Sequence, residues 1–313
     1  MEYHLVLYLL TLLACGLLHF QAHGSLACLE EERVGLLKLK EAFHHPNASA
    51  SLPSWRVEEI DCCRWERVTC DSMTKRVIGL SLSDARQLGF LNPSSFLNAS
   101  FFLNASLFLP FQKLQNLSLD RSHLKGFYGE LRLSKLQVLD LSWNMFTEIP
   151  SLGALQSLKI LNLKENYLES FSHFEAELTT LNKLETLNLD GNNLIGEIPP
   201  SIGAMASLKV LSFKYNQLNG SLPMEGFYGE LRLTKLQVLD LGFNNFTEIP
   251  SLGALQSLKI LNLEFNFLES FSHFEGAFQF YSIALFCLFA CDVTLMQNLT
   301  LSHYFEQPGD VES

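Results

Sequence analysis

The pattern L-x-x-L-x-L-x-x-N-x-L recurs along this chain, and no other feature constrains its fold as tightly. It reads LQVLDLSWNMF from Leu136, LKILNLKENYL from Leu158 and LETLNLDGNNL from Leu184. It continues as LKVLSFKYNQL from Leu208, LQVLDLGFNNF from Leu236 and LKILNLEFNFL from Leu258. A weaker copy, LQNLSLDRSHL, starts at Leu114 with Ser122 in the asparagine slot, and VIGLSLSDARQL from Val77 has the form of an opening strand with Ala85 in that slot. Repeats of this length mark a supersecondary unit that cannot bury its own apolar face. In x-L-x-L-x the leucines go to one face of a short strand and the intervening residues to the other. Stacked units share a continuous interior, where each buried leucine is worth roughly 1.5–3 kcal/mol. The recurrent Asn144, Asn166, Asn192, Asn216, Asn244 and Asn266 each carry a donor and an acceptor, and can satisfy backbone groups where the chain leaves the strand ladder. With 63 leucines in 313 residues and 48% hydrophobic residues, the chain is too apolar to be disordered.

The remainder of each unit is also readable. LIGEIPPSIGAMASL (194–208) places Gly196 and Pro199 at bends and Ile198 and Ile202 where they can pack; LNGSLP (218–223) repeats the idea, and FTEIPSLGAL occurs from Phe146 and again from Phe246. These motifs resemble the plant extracellular type of leucine-rich repeat, L-x-G-x-I-P-x-x-L-G. In the two short repeats Glu148 and Glu248 stand before Ile149 and Ile249 in place of glycine, so a compressed second strand is expected there. The expected fold is an α/β leucine-rich-repeat solenoid, a curved horseshoe with a parallel β-sheet on its concave face.

Residues 28–70 carry CLEEERVGLLKLKEAF and LPSWRVEEIDCCRWERVTC. Leu29, Val34, Leu37 and Phe43 fit the apolar stripe of a helix, with Glu30, Glu31 and Glu32 favourably at its start. Such a segment would cover the first repeat, whose core otherwise meets water. Cys28, Cys62, Cys63 and Cys70 allow three pairings in an oxidising compartment; a zinc set of three cysteines with His44 or His45 is the rival, and lacks paired C-x2-C spacing. The stretch resembles the amino-terminal cap of plant leucine-rich-repeat receptor-like proteins. That resemblance implies bonds Cys28–Cys62 and Cys63–Cys70, with Trp55 and Trp65 packed against them.

Residues 126–175 and 226–275 are nearly identical at an offset of 100. Apart from Ser134/Thr234, the differences are Ser142/Gly242, Trp143/Phe243, Met145/Asn245, Lys164/Glu264, Glu165/Phe265 and Tyr167/Phe267. All six fall at positions +6, +7 and +9 from the first leucine of their units, which are expected to face outward along the inner curve. No framework leucine or asparagine has changed. A recognition surface varied on a constant scaffold fits this pattern, and Trp143, Lys164, Tyr167, Lys214, Tyr215, Phe243, Glu264, Phe265 and Phe267 are its expected residues. The aromatics offer rigid contact area; Asp120, Asp140 and Asp190 add polar specificity.

The apolar run at 3–18, followed by Ala22 and Gly24, reads as a secretory signal, although its start lacks lysine and arginine. N-x-S/T sequons at Asn47, Asn98, Asn104, Asn116, Asn219, Asn245 and Asn298 fit passage through the secretory pathway. The expected organisation is a signal peptide at 1–24, a cap at 25–76, about eight repeats over 77–275 with the first irregular at 77–113, and an apolar, acidic tail at 276–313. Only twelve uninterrupted apolar residues (280–291) precede Asp292, short of the roughly 20 a membrane helix needs; that segment reads as an end cover, a span or a non-native terminus.

A net charge of −11 argues against nucleic acid as a partner. No catalytic, cofactor or metal motif is present: there is no G-x-S-x-G, H-E-x-x-H, Walker loop or G-x-G-x-x-G. The family resemblance implies a non-enzymatic module at the plasma membrane outer face or in the apoplast. It would bind an extracellular peptide, glycan or protein ligand and act with a co-receptor kinase. The alternative resemblance is to secreted polygalacturonase-inhibiting proteins, which block microbial cell-wall hydrolases.

Overall fold

A computed structural model of the chain describes residues 27–44, 52–85, 100–171, 180–220, 233–248, 255 and 257–268. The signal segment, the tail at 276–313, Cys287 and Cys291, His45 and the sequons at Asn47, Asn98 and Asn298 lie outside the described residues.

Each copy of x-L-x-L-x forms one strand of a single sheet. The strands are β2 (Val77–Ser81), β4 (Asn116–Ser118), β6 (Val138–Asp140), β7 (Ile160–Asn162), β8 (Thr186–Asn188), β10 (Val210–Ser212), β12 (Val238–Asp240) and β14 (Ile260–Asn262). They pair in that order, all parallel, and β1 (Val68–Cys70) from the cap adds an antiparallel edge beside β2. The register puts Leu80, Leu117, Leu139, Leu161, Leu187, Leu211, Leu239 and Leu261 opposite one another in one column. A slip by one residue would turn that column to the other face. The leucines on the interior side are almost wholly buried, and the framework from Leu36 in the cap to Leu263 forms one continuous core. The fold is a leucine-rich-repeat solenoid of stacked parallel strands. Helix is sparse among the described residues: one α-helix in the cap, with 3-10 turns such as Pro200–Ala204 on the return path.

The asparagines tie one coil to the next. Asn144 Oδ1 accepts from the backbone N–H of Ser122 and Leu124, while its Nδ2 donates to the carbonyls of Leu119 and Leu141. Asn166, Asn192, Asn216, Asn244 and Asn266 repeat the arrangement, each receiving an N–H from the preceding coil and donating to carbonyls of both coils. Ser122 supplies only part of this: its Oγ donates to the Leu82 and Asp120 carbonyls.

Past the asparagine a second, shorter ladder forms from β9 (Ile195–Gly196), β11 (Gln217–Gly220) and β13 (Asn245–Phe246). Gly196 and Gly220 there have φ of 83° and 77°, which a side chain with a Cβ rarely adopts. Where Glu148 replaces the glycine, residues 146–149 form no strand. A further pair, β3 (Phe101–Asn104) and β5 (Leu124–Tyr128), gives the irregular first repeat its own outer ladder.

In the cap, α1 (Glu30–Phe43) buries Leu36, Leu39 and Phe43. The expected stripe was out of phase: Leu29 and Leu37 are half-buried and Val34 is exposed. Packing decides the phase, because Gly35 lies flush against Phe111 and Pro110, where an added Cβ would come to 3.0 Å from each. Glu32 is fully buried on the same side and accepts from Arg76 Nε at 2.8 Å and from the Val77 N–H. The cap is thereby pinned to the first strand of the stack. Disulfides join Cys28 to Cys62 and Cys63 to Cys70. The rings of Trp55 and Trp65 stack at 5.7 Å. No described helix is long and apolar enough to cross a membrane.

Candidate recognition surface

The face of the main sheet turned away from the leucines is open, and its side chains fall in rows, one residue per coil. Position +2 is mostly aliphatic (Val138, Ile160, Val210, Val238, Ile260), with Thr186 among them. Position +4 is small and polar: Ser118, Asp140, Asn162, Asn188, Ser212, Asp240, Asn262. Those at +6 are Asp120, Ser142, Lys164, Asp190, Lys214, Gly242 and Glu264, and at +7 Arg121, Trp143, Glu165, Gly191, Tyr215, Phe243 and Phe265.

The +4 row is built into the turn. Asp140, Asn162, Asn188, Asp240 and Asn262 each accept, through Oδ1, from the backbone N–H two residues on. Ser212 is too short to do so, and Asp190 of the preceding coil accepts from the Lys214 N–H in its place at 2.9 Å. These bonds bend the chain just before +7, where every residue has a left-handed backbone. Its φ is 51° at Arg121, 56° at Trp143, 53° at Glu165, 62° at Gly191, 55° at Tyr215, 55° at Phe243 and 51° at Phe265. For residues other than glycine that conformation costs about 1–2 kcal/mol. It is held by inter-coil bonds, for example Trp143 N–H to the Lys164 carbonyl and Phe243 N–H to the Glu264 carbonyl. Asp140 and Asp190, expected to add specificity, therefore serve the backbone.

The left-handed turn also throws the +7 side chains out of the sheet edge. Trp143 is 47% exposed and Phe265 70%. Tyr215, Phe243 and Phe265 stack ring on ring with successive centroids 4.2 Å apart. Lys214 Nζ lies 5.3 Å from the centroids of both Tyr215 and Phe243 and is ion-paired with Glu264 at 2.8 Å. In the first copy, the Arg121 guanidinium sits over the Trp143 ring instead.

The six differences between the copies do not share one surface. At +6, Ser142 is buried and bonded to Asp140, Gly242 has no side chain, and Lys164 and Glu264 are half-buried. At +9, Tyr167, Phe267 and Asn245 are exposed but lie past the asparagine: Phe267 N–H donates to the Phe246 carbonyl and Asn245 pairs with Asn219 in the second ladder, while Tyr167 N–H makes the matching bond to the Phe146 carbonyl, where no strand forms. Tyr167 and Phe267 therefore leave the expected inner-curve set. The spacing could not separate the two ladders, because the chain turns at +7 and carries +9 to the next one.

Burial raises three carboxyls of this sheet. Desolvation lifts Asp190 to about 6 against hydrogen bonds from Ser212 and Lys214 that lower it, and the Asp240 charge adds to the rise. Asp140 and Asp240 are also raised, chiefly by burial. Burial opposes the charge on Lys214, but its bond to Glu264 and the nearby Asp240 outweigh this and raise it. Of the sequons, Asn104, Asn116, Asn219 and Asn245 are all exposed. No group of three or more potential metal ligands occurs among the described residues.

Comparison with known proteins agrees with this architecture. A leucine-rich repeat N-terminal domain matches residues 29–71, and leucine-rich repeats match 135–155, 183–205 and 234–276. Receptor-like protein 9b of Arabidopsis thaliana is 35% identical over 188 residues, 57% of this chain and 18% of that protein. Receptor-like protein 1 of the same plant is 34% identical over 195 residues, covering 56% and 18%. The chain thus spans about a fifth of the length of these curated relatives. A crystal structure of a plant ice-binding protein superposes with a TM-score of 0.57 at 25% identity, covering 76% of this chain and 72% of that one. The similarities support a recognition role for extracellular leucine-rich repeats.

Proposed function

We propose that this chain is a non-enzymatic, extracellular recognition module of the plant receptor-like type. It binds a protein or peptide partner along the +7 edge of its open face and acts with a co-receptor kinase at the cell surface. The observation that carries this reading is the division of labour within the duplicated coils. Every buried leucine and every coil-to-coil asparagine is the same in both copies, while Trp143 becomes Phe243 and Glu165 becomes Phe265. Those two changes turn a charged and aromatic row into a three-ring stack beside an ion pair. Exposed rigid aromatics of this kind dominate binding energies at protein interfaces.

The sequons support the same end of the molecule. Asn116 is exposed at the +2 position of β4, so a glycan there covers the early part of the open face. Asn219 and Asn245 carry theirs on the second ladder. The open face from β8 to β14 stays free of sequons.

Labelled secreted protein, titrated onto intact plant cells, tests the reading. Saturable binding is expected, weakened at least tenfold by Phe243→Ala with Phe265→Ala, a loss of about 1.4 kcal/mol. Circular dichroism should show the double variant folded. Equal binding by the folded double variant rejects the +7 edge as the recognition surface.

A further inference from the structure

The +7 row has one gap, and the gap has a defined chemistry. Gly191 sits between Glu165 on one side and Tyr215 on the other, in three consecutive coils joined by Glu165 N–H to the Asp190 carbonyl and Gly191 N–H to the Lys214 carbonyl. With strands about 4.8 Å apart, Glu165 and Tyr215 stand roughly 9.6 Å from one another along the stack. Between them the backbone carries no side chain. The Glu165 carboxylate leans into the space: a Cβ on Gly191 would lie 2.7 Å from its Oε1. Among the described residues no cation is ion-paired with Glu165. Among the described residues Phe243 is the one ring stacked on Tyr215, with Lys214 Nζ 5.3 Å from the Tyr215 centroid, and the coil on the side away from Phe243 is that of Gly191.

We infer that this notch receives an arginine side chain of the partner, stacked on the Tyr215 ring and paired with the Glu165 carboxylate. The inference rests on the open-face reading and deepens it. A guanidinium is flat enough to lie on an aromatic face and presents a fork of donors to a carboxylate. Charge complementarity points the same way. Across rows +4 to +7 from β4 to β14 the carboxylates are Asp120, Asp140, Glu165, Asp190, Asp240 and Glu264, against Arg121, Lys164 and Lys214. Of the three cations, Lys214 is held by Glu264, and Arg121 by Asp120 at 3.3 Å. Asp190, the neighbour of Gly191, adds negative potential behind the notch above about pH 6, where its raised carboxyl is ionised.

The test is a titration of the full chain, isotope-labelled at glycine, with acetyl-Gly-Arg-Gly-amide and with its citrulline counterpart, which keeps the shape and removes the charge. The arginine peptide should shift the Gly191 amide resonance saturably, and the citrulline peptide should bind at least fivefold more weakly. Glu165→Gln and Tyr215→Leu, both changes at exposed or half-exposed positions, should each weaken the arginine peptide about five- to tenfold. No saturable shift at Gly191, equal binding of citrulline, or unchanged binding by Glu165→Gln overturns the inference. None of those results touches the cell-binding loss expected of the Phe243→Ala and Phe265→Ala variant, so the two readings fail separately.

Discussion

Lys214 and Glu264 meet at 2.8 Å although a whole coil lies between them, and the residue that coil presents beneath them is Gly242. A Cβ at Gly242 would come within 3.0 Å of Glu264 Cγ and 2.9 Å of Asn262 Nδ2. The first copy has Ser142 here and Lys164 in place of Glu264. Two of the six differences between the copies are thus one physical change: removing a side chain lets a carboxylate lie across the sheet to a lysine two coils away.

Gly242→Ser should push Glu264 aside and cost about 1 kcal/mol, the upper range for a partly exposed ion pair. Chemical denaturation of the variant measures this. Adding Glu264→Gln to Gly242→Ser should then cost almost nothing more, because the pair is already broken.

Framework and edge residues should respond differently to truncation. Asn192→Ala leaves the Leu168 N–H and the Leu163 and Leu189 carbonyls without their side-chain partner, at about 3 kcal/mol. Phe265→Ala removes one stacked, largely exposed ring and should cost about 0.5–1 kcal/mol. Urea midpoints of the two variants, measured side by side, make the comparison.

Stability should fall as pH rises through the range in which Asp190 ionises. Its folded carboxyl is raised to about 6 from 3.8, so the folded state holds its proton where the unfolded chain has lost it. This contribution is complete below the unfolded value and is lost as pH rises through the folded one, on the order of 3 kcal/mol. Asp140 and Asp240 act in the same direction. Asp190→Asn keeps the acceptor for the Lys214 N–H and should flatten the slope of unfolding free energy between about pH 4 and about pH 7.

The leucine columns and the coil-to-coil asparagines were visible in the sequence because each is a periodic requirement; the pairing of the cap's cysteines came from the family resemblance, since four cysteines alone allow three pairings. Nothing in Trp143, Tyr215 or Phe243 announces a left-handed backbone; only Gly191, in the same slot, is of the type that conformation favours. The backbone duty of Asp140 and Asp190 was hidden for a related reason. An aspartate on an open sheet looks like a contact residue until the N–H it accepts is located. Tyr167 and Phe267 were assigned to the inner curve because a two-residue offset in sequence crosses a turn in space. The stripe of α1 was placed through Val34 and Leu37, one residue out of phase with the buried Leu36 and Leu39, because the contact of Gly35 with Phe111 and Pro110 is invisible in the helix's own sequence.

Trp143 offers the most direct test that the interior and the edge are separate. The chain has three tryptophans; Trp55 and Trp65 are 1% and 2% exposed, against 47% for Trp143. Acrylamide quenching of the native protein should find one readily quenched component, and Trp143→Phe, the residue the second copy uses, should abolish it without lowering stability by more than about 0.5 kcal/mol. If quenching is unchanged in that variant, or if the substitution unfolds the stack, Trp143 belongs to the leucine interior and the recognition edge described above does not exist.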